Sequence, residues 1–365
     1  MTRTRPRIGA LDLLRGATVA AMIVVNNPGN WNAVPAPLAH AAWNGLTVAD
    51  LIFPAFIFIM GVAMAMALEG RSDGRGLHRA IVIRGVWLLA MGFALNLAAA
   101  WPDVATIRIP GVLQRIAVTY VIAAFILVHA SARQMYGGVV GLLAAHTALL
   151  ALGGSLEPGA NMAAAIDRTL FGRHMLTPIG DPEGALGLLT CVATALMGAI
   201  AGQGIMRELL QSGERSTIAV RRLLIGGAAV LAAGGVLALI VPLNKALWTA
   251  SYALVTSGVT SIGLALCMRL MTPDVARVAA PFFWLGTNPL AIYFLSELTT
   301  TVLQRPMAWL PGHAALKDLV YWDVVAPLIG DNGGATSSVV YALAYTALWI
   351  GVAGILKWRG VRIRV

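Results

Sequence analysis

Residues 26–61 read NNPGNWNAVPAPLAHAAWNGLTVADLIFPAFIFIMG. An apolar run ends on Asn26, Asn27, Pro28 and Gly29. Proline withdraws a backbone donor and glycine loosens the chain, so a helix arriving here must stop. A short connector of amides, prolines and tryptophan delivers His40, and a second apolar run begins near Leu46 with Asp50 already inside it. Two apolar runs joined by a polar, turn-rich connector read as two membrane helices meeting at one face of a bilayer. A histidine, several amides and a carboxylate are costly to place at the mouth of a membrane. That cost makes the connector the first place to look for chemistry.

Working outward, the composition agrees. The 365 residues are 58% hydrophobic and 12% charged, with mean hydropathy +0.78. Soluble domains carry about 25% charge, so the chain reads as an all-α polytopic membrane protein. The first apolar segment follows Arg3, Arg5 and Arg7 and contains Asp12 and Arg15, which marks a retained helix rather than a cleaved leader. Cys191 and Cys267 lie in separate apolar segments and suggest neither a disulfide framework nor a thiolate metal site. No zinc motif, phosphate-binding glycine loop or serine elbow is present. The net charge of +10 belongs to membrane topology rather than to nucleic acid.

Ten segments are long enough to cross roughly 30 Å of hydrocarbon, which takes about 20 residues. They are expected near 10–27, 46–68, 80–100, 112–131, 136–153, 184–203, 222–242, 250–270, 282–303 and 336–357. The whole chain, 1–365, reads as one transmembrane domain, with residues 1–9 and a basic tail at 358–365 on the same side. Gly286 and Pro289 should kink or interrupt the ninth span.

The connectors alternate in charge. One side receives Arg3, Arg5, Arg7, Arg71, Arg75, Arg79, Arg133, Arg207, Arg215, Arg221, Arg222, Arg269, Arg277, Lys357, Arg359, Arg362 and Arg364. The other receives only Arg108, Arg115, Arg168, Arg173, Lys245, Arg305 and Lys317. By the positive-inside rule both termini are expected in the cytoplasm, with His40 on the far side. The far-side loops 28–45, 154–183 and 304–335 also carry Trp31, Trp43, Trp309, Trp322, His174, His313 and several carboxylates, Asp181 among them. Tryptophan at this depth fits an interfacial belt, and tryptophan with carboxylates also fits the lining of a sugar site.

Polar groups inside spans must be paired or face water. Asp12 and Arg15 share a helix face and can pair with each other. Gln114 and Arg115 enter the fourth span after a Pro-Gly break, where a guanidinium suits a phosphate or carboxylate but also snorkels readily. Asn288 and Glu297 flank the expected break in the ninth span. His129 and His146 read as packed or interfacial. Histidine titrates nearest neutrality of all side chains, so His40 is the candidate proton acceptor. Asp50 can orient it if the connector folds back, and Asn26 and Asn27 can donate to a developing oxyanion. The same residues serve equally as caps and loop pins.

Several stretches resemble the membrane domain of the heparan-α-glucosaminide N-acetyltransferase family, in order along the chain. They are RIGALDLLRGATVAAMIVVNNPG (7–29), LAHAAWNGLTVADLIFPAFIFIMG (38–61), RIPGVLQRIAVTY (108–120), IDRTLFG (166–172), DPEGALGLLT (181–190) and LGTNPLAIYFLSE (285–297). The chain looks like the bacterial form, without an extra N-terminal luminal region. The resemblance implies an enzyme of the bacterial inner membrane that takes acetyl from cytosolic acetyl-CoA, as co-substrate and without a metal. It delivers that group to the amine of a glucosamine-type sugar on the periplasmic side. It places the active-site histidine on His40, an active-site asparagine on Asn26 and the acidic residue on Asp50. Asn27, Trp43, Asn44, Gln114, Arg115, Asp181, Asn288 and Glu297 are expected to contact substrate or cofactor. The resemblance also implies a homodimer, for which no apolar face in the sequence names an interface. The rival readings are a transporter of sugars or organic anions and an O-acetyltransferase of an envelope polysaccharide.

Overall fold

A computed structural model describes residues 8–68, 74–212, 216–307, 310 and 315–363. Of the residues discussed above, Arg3, Arg5, Arg7, Arg71, Arg215, Trp309, His313 and Arg364 lie outside them. The described residues form helices α1 (Gly9–Asn26), α2 (Val48–Leu68), α3 (Arg75–Ala100), α4 (Val112–His129), α5 (Ala132–Leu152) and α6 (Met162–Phe171). There follow α7 (Gly187–Ser212), α8 (Thr217–Leu237), α9 (Ala250–Leu270), α10 (Pro273–Val278), α11 (Ala280–Thr287) and α12 (Pro289–Leu303). The last are α13 (Leu316–Leu319) and α14 (Ala326–Ile329), joined by a π-helical stretch at Val320–Val325, and α15 (Ala335–Trp358).

Nine of these helices are long and apolar enough to cross a membrane, with the shorter α12 beside them. The expected ninth span is divided. Residue 289 is proline, so α12 starts afresh there, and Asn288 between α11 and α12 leaves helical geometry at φ −132, ψ 53. The fifth span starts earlier than composition suggested, because Ser131 and Gln134 form a capping box ahead of Ala132. Elsewhere the helices start or end a few residues from the expected limits, where polar residues extend a helix past its apolar run.

Close approach between helices comes from glycine, as expected where lipid removes the hydrophobic drive for association. A Cβ on Gly16 of α1 would lie 1.7 Å from the Phe282 carbonyl oxygen of α11. A Cβ on Gly61 of α2 would lie 2.0 Å from the Ala195 carbonyl oxygen of α7, and one on Gly198 of α7 equally 2.0 Å from that of Phe58. These contacts lock α2 against α7 and α1 against α11. The core runs between them through Val19, Ile23, Ile57, Ile116, Leu196, Tyr252 and Ile292, all fully or almost fully buried.

The two ends of the bundle differ. At one end the start of α1, the start of α11 and the tail after α15 surround a cavity of about 670 Å³. The tail is held there by Asn288, whose Nδ2 donates to the Val361 carbonyl (3.1 Å) and whose Oδ1 accepts from the Ile363 amide (2.9 Å). At the other end of α1 lies a second cavity, described next.

Candidate active site

Asp50 sits in the first turn of α2, 1% exposed. One carboxylate oxygen lies 2.8 Å from His40 Nδ1. The other accepts the Ala41 amide (3.0 Å), the Thr47 amide (3.1 Å) and the Thr47 hydroxyl (3.0 Å). Only an acceptor-only group can satisfy so many donors, which is the hydrogen-bonding inventory of an ionised carboxylate. The connector therefore folds back onto the helix it precedes, with Asp50 as the pin. Tyr252 of α9 fixes the same turn by donating its hydroxyl to the Asp50 carbonyl at 2.6 Å. A carboxylate on Nδ1 orients the imidazole and leaves Nε2 as the accepting nitrogen, turned to the cavity and 3.2 Å from Lys245 Nζ.

His40 faces a cavity of about 390 Å³ lined also by Asn26, Trp43, Phe53, Arg108, Glu183, Lys245 and Tyr293. Asn26 reaches it from the last turn of α1, and its Nδ2 donates to Glu297 of α12 at 2.9 Å. Trp43 donates its indole N–H to the Leu156 carbonyl at 3.0 Å, which holds the ring at the cavity wall. Asn44 is one residue further on. It accepts from Asn244 Nδ2 at 3.0 Å and so ties the connector to the loop between α8 and α9.

The far wall carries a compact ion cluster. Arg108 Nε and Nη2 reach the two oxygens of Asp181 at 2.8 and 2.5 Å, and Nη2 also meets Glu183. Burial works against the Arg108 charge, but the two carboxylates hold its pKa above the ordinary arginine value. Burial likewise pushes Asp181 up, and the guanidinium more than reverses this, leaving it below the usual carboxylate range. A depressed carboxyl contributes stability that is present above its unfolded pKa and lost as pH falls through the folded one. Asp181→Ala breaks the bidentate pair but leaves Glu183 on the guanidinium, and is expected to destabilise by about 1.5–3 kcal/mol. Thermal unfolding in detergent should show the deficit at neutral pH, with the gap to the wild type closing in strong acid.

The structure brings His40, Asp50, Asn26 and Trp43 together, puts Glu297 directly behind Asn26, and leaves other expected contacts elsewhere. Asn27 is buried away from the cavity, with Nδ2 donating to the Ile23 carbonyl (2.8 Å) and Oδ1 accepting from Thr300. Helix α1 ends at Asn26, and Asn27 leaves helical geometry at φ −129, ψ 50, which turns its side chain away from the site. Gln114 is buried against Gly92 and Gly111. Arg115, 2% exposed, donates to the Gly184 carbonyl at 2.9 Å and lies over the Trp248 ring. Asn288 holds the chain's own tail at the opposite end. His146 is packed, with Nε2 3.0 Å from the Leu247 carbonyl.

Sequence reasoning passed over Lys245, Arg108 and Tyr293 as site residues, and placed Glu183 only among the far-side carboxylates that fit a sugar lining. Lys245 Nζ lies 3.0 Å from His40 Nδ1, 3.2 Å from Nε2 and 3.5 Å from Asp50. Its one signal in sequence is a lysine on the side where cations are scarce. Arg108 and Glu183 do fall within quoted stretches, RIPGVLQRIAVTY and DPEGALGLLT. No group of three metal-ligating side chains occurs among the described residues.

Residues 7–166 match the family model described as heparan-alpha-glucosaminide N-acetyltransferase, catalytic. That segment contains Asn26, His40, Asp50 and Arg108 and ends before Asp181, Glu183 and Lys245. The chain is 26% identical to heparan-alpha-glucosaminide N-acetyltransferase of Homo sapiens, the alignment covering 96% of this chain and 59% of that protein. It is 25% identical to the Mus musculus protein of the same name over the same shares. The chain thus spans about 59% of the length of the curated relatives it matches. Over nearly its whole length the chain is thus similar to the heparan-alpha-glucosaminide N-acetyltransferases.

Proposed function

We propose that this protein is a transmembrane acetyltransferase. It moves acetyl from acetyl-CoA, supplied at the end of the bundle that holds both termini, to the amine of a glucosamine-type sugar at the opposite end. The observation that carries this reading is His40, clasped by Asp50 and facing the 390 Å³ cavity, within the segment that matches the catalytic family model. With Nδ1–H donated to Asp50, Nε2 accepts a proton from the amine as it attacks the thioester carbonyl. The amine–carbon bond forms, the carbon–sulfur bond breaks, and the CoA sulfur leaves with the electron pair. Transfer is direct, because a base held by a buried carboxylate needs less rearrangement than a nucleophile serving both sides.

The opposite cavity supports the donor's route. Lys357 and Arg362 line it, together with Asp12 and Thr287, and two cations suit the phosphates of a nucleotide. Helix α1 touches both cavities, Gly9 and Asp12 at one and Met22 and Asn26 at the other. Its 18 residues span about 27 Å, a length a thioester-bearing arm of CoA has to cover in part. Excess positive charge at the termini supports a cytoplasmic assignment for that end and a periplasmic one for His40. On the acceptor side, Trp43, Glu183 and Arg108 offer an aromatic face and hydrogen-bonding groups to a sugar.

Acetyl-CoA consumption by purified protein over a panel of amino-sugars tests the proposal. Saturable turnover with free amino-sugars, and none with their N-acetylated forms, is expected. Turnover on hydroxyl-only sugars would favour O-acetylation, and CoA-independent uptake into vesicles would favour a transporter. Asn26→Ala is expected to slow transfer by about 10²–10³-fold if its amide steadies the reacting carbonyl. An unchanged kcat would reduce Asn26 to a residue that ends α1.

A further inference from the structure

We propose that Lys245 is a catalytic residue, its ammonium holding the thioester oxygen as negative charge develops there while His40 takes the proton. This rests on the acetyl-transfer reading above. An acyl-transfer site needs a base and an electrophilic donor within about 3 Å of one reacting centre. Lys245 Nζ is 3.2 Å from His40 Nε2, so attacking nitrogen and carbonyl oxygen, bonded to the same carbon, can meet the two groups at once. Asn26 has one amide hydrogen left for the carbonyl, since the other goes to Glu297, and it carries no charge.

The loop carrying Lys245 is built to hold it there. The Gly45 amide donates to the Leu243 carbonyl at 2.8 Å, and Asn244 bonds Asn44. Further along, Thr190 donates to the Trp248 carbonyl at 2.6 Å, and His146 meets that of Leu247. Trp248 adopts φ +50, a conformation L side chains seldom accept. Its ring is wedged under Arg115 and edge-on to Phe53 and Tyr252. Six elements thus fix the height of one lysine over one histidine, and Lys245 itself lines the reaction cavity.

The charges balance. Asp50, Asp181 and Glu183 offset Lys245, Arg108 and Arg115, the last of which stands behind the loop; Tyr252 donates to the Asp50 backbone. When the amine adds, its proton passes to His40 and the new alkoxide faces the Lys245 ammonium. Collapse returns the electron pair to the carbonyl, expels the CoA sulfur, and frees the His40 proton for that sulfur. Burial lowers the Lys245 pKa, and Asp50 and Glu183 oppose the fall without cancelling it. The required ammonium is therefore lost as pH rises, earlier than for an ordinary lysine.

The test uses the full-length protein in detergent with acetyl-CoA and glucosamine. Lys245→Met is expected to lower kcat by about 10²–10³-fold, with acetyl-CoA affinity and the size-exclusion profile unchanged. Lys245→Cys alkylated with 2-bromoethylamine, which rebuilds an ammonium side chain, is expected to regain at least tenfold. Its alkaline limb in kcat/KM should shift to lower pH, following the more acidic amine, and a merely structural lysine would not produce that shift. Lys245→Met within threefold of wild type, or a folded, fully alkylated cysteine variant without recovery, overturns the proposal. A wild-type protein that binds acetyl-CoA yet acetylates no amino-sugar overturns the acetyl-transfer reading and this proposal with it.

Discussion

Replacing His40 with alanine is expected to abolish acetyl transfer while leaving acetyl-CoA binding intact. The imidazole is 43% exposed at its cavity and contributes little to packing, so its loss should not unfold the helices. What remains is Asp50 with two amides and a hydroxyl still satisfied, and Lys245 at 3.5 Å without its neighbour. Removing a general base typically costs about 10²–10⁴-fold, and removing the group that Asp50 orients leaves Lys245 and Arg108, both cations, as the titratable nitrogens among the described residues of the cavity. The kinetic signature should be a fall in kcat with little change in the donor's Kd. Asp50→Asn is a companion case, in which the ring loses its fixed tautomer. Normal turnover in a folded His40→Ala protein would remove the base from this site altogether. Stoichiometric, kinetically competent acetylation of His40 by acetyl-CoA without acceptor would replace the direct route with a two-step one.

The second large effect is structural. Gly198→Leu is expected to prevent the bundle from assembling. Even the first carbon of the new side chain would lie 2.0 Å from the Phe58 carbonyl, and the facing Gly61 is equally constrained by Ala195. Overpacking a core usually costs about 1–3 kcal/mol, but here Cβ itself meets a backbone carbonyl, and no choice of rotamer moves either atom. Helix α2 would have to leave α7 and carry Asp50 away from His40. Gly204, on the same helix α7, has open space around it and serves as the control. Gly204→Leu should elute as a single peak with near wild-type thermal stability, and Gly198→Leu should aggregate. A monodisperse Gly198→Leu protein with wild-type stability would show that the α2–α7 contact is looser than drawn.

Much of this was legible in the residues because it follows from local chain chemistry. Proline at 28 stops α1, proline at 289 restarts a helix, and apolar runs of membrane length give the spans. Asp50 ten residues after His40 was readable as an orienting carboxylate, since a short connector has few ways to return. What was not legible depends on helical phase or on distance along the chain. Asn26 and Asn27 are indistinguishable in composition, and only the point at which α1 ends decides which one meets Glu297 and which meets Thr300. Asn288 carries the marks of a ligand contact but grips Val361 and Ile363 of its own chain. Lys245 is separated from His40 by 205 positions. In sequence it counted only as a minority charge on the far side, because nothing local signals that Asn44 and Asn244 bring the two loops together.

Transfer across the membrane is the centre of the account, and sidedness measures it directly. Protein oriented in sealed vesicles would receive acetyl-CoA in the compartment facing the chain termini and glucosamine in the other, with the lipid impermeable to both. The expected result is N-acetylated sugar appearing in the acceptor compartment, CoA accumulating in the donor compartment, and neither when His40 is alanine. Product formed only when both substrates share one compartment would contradict it.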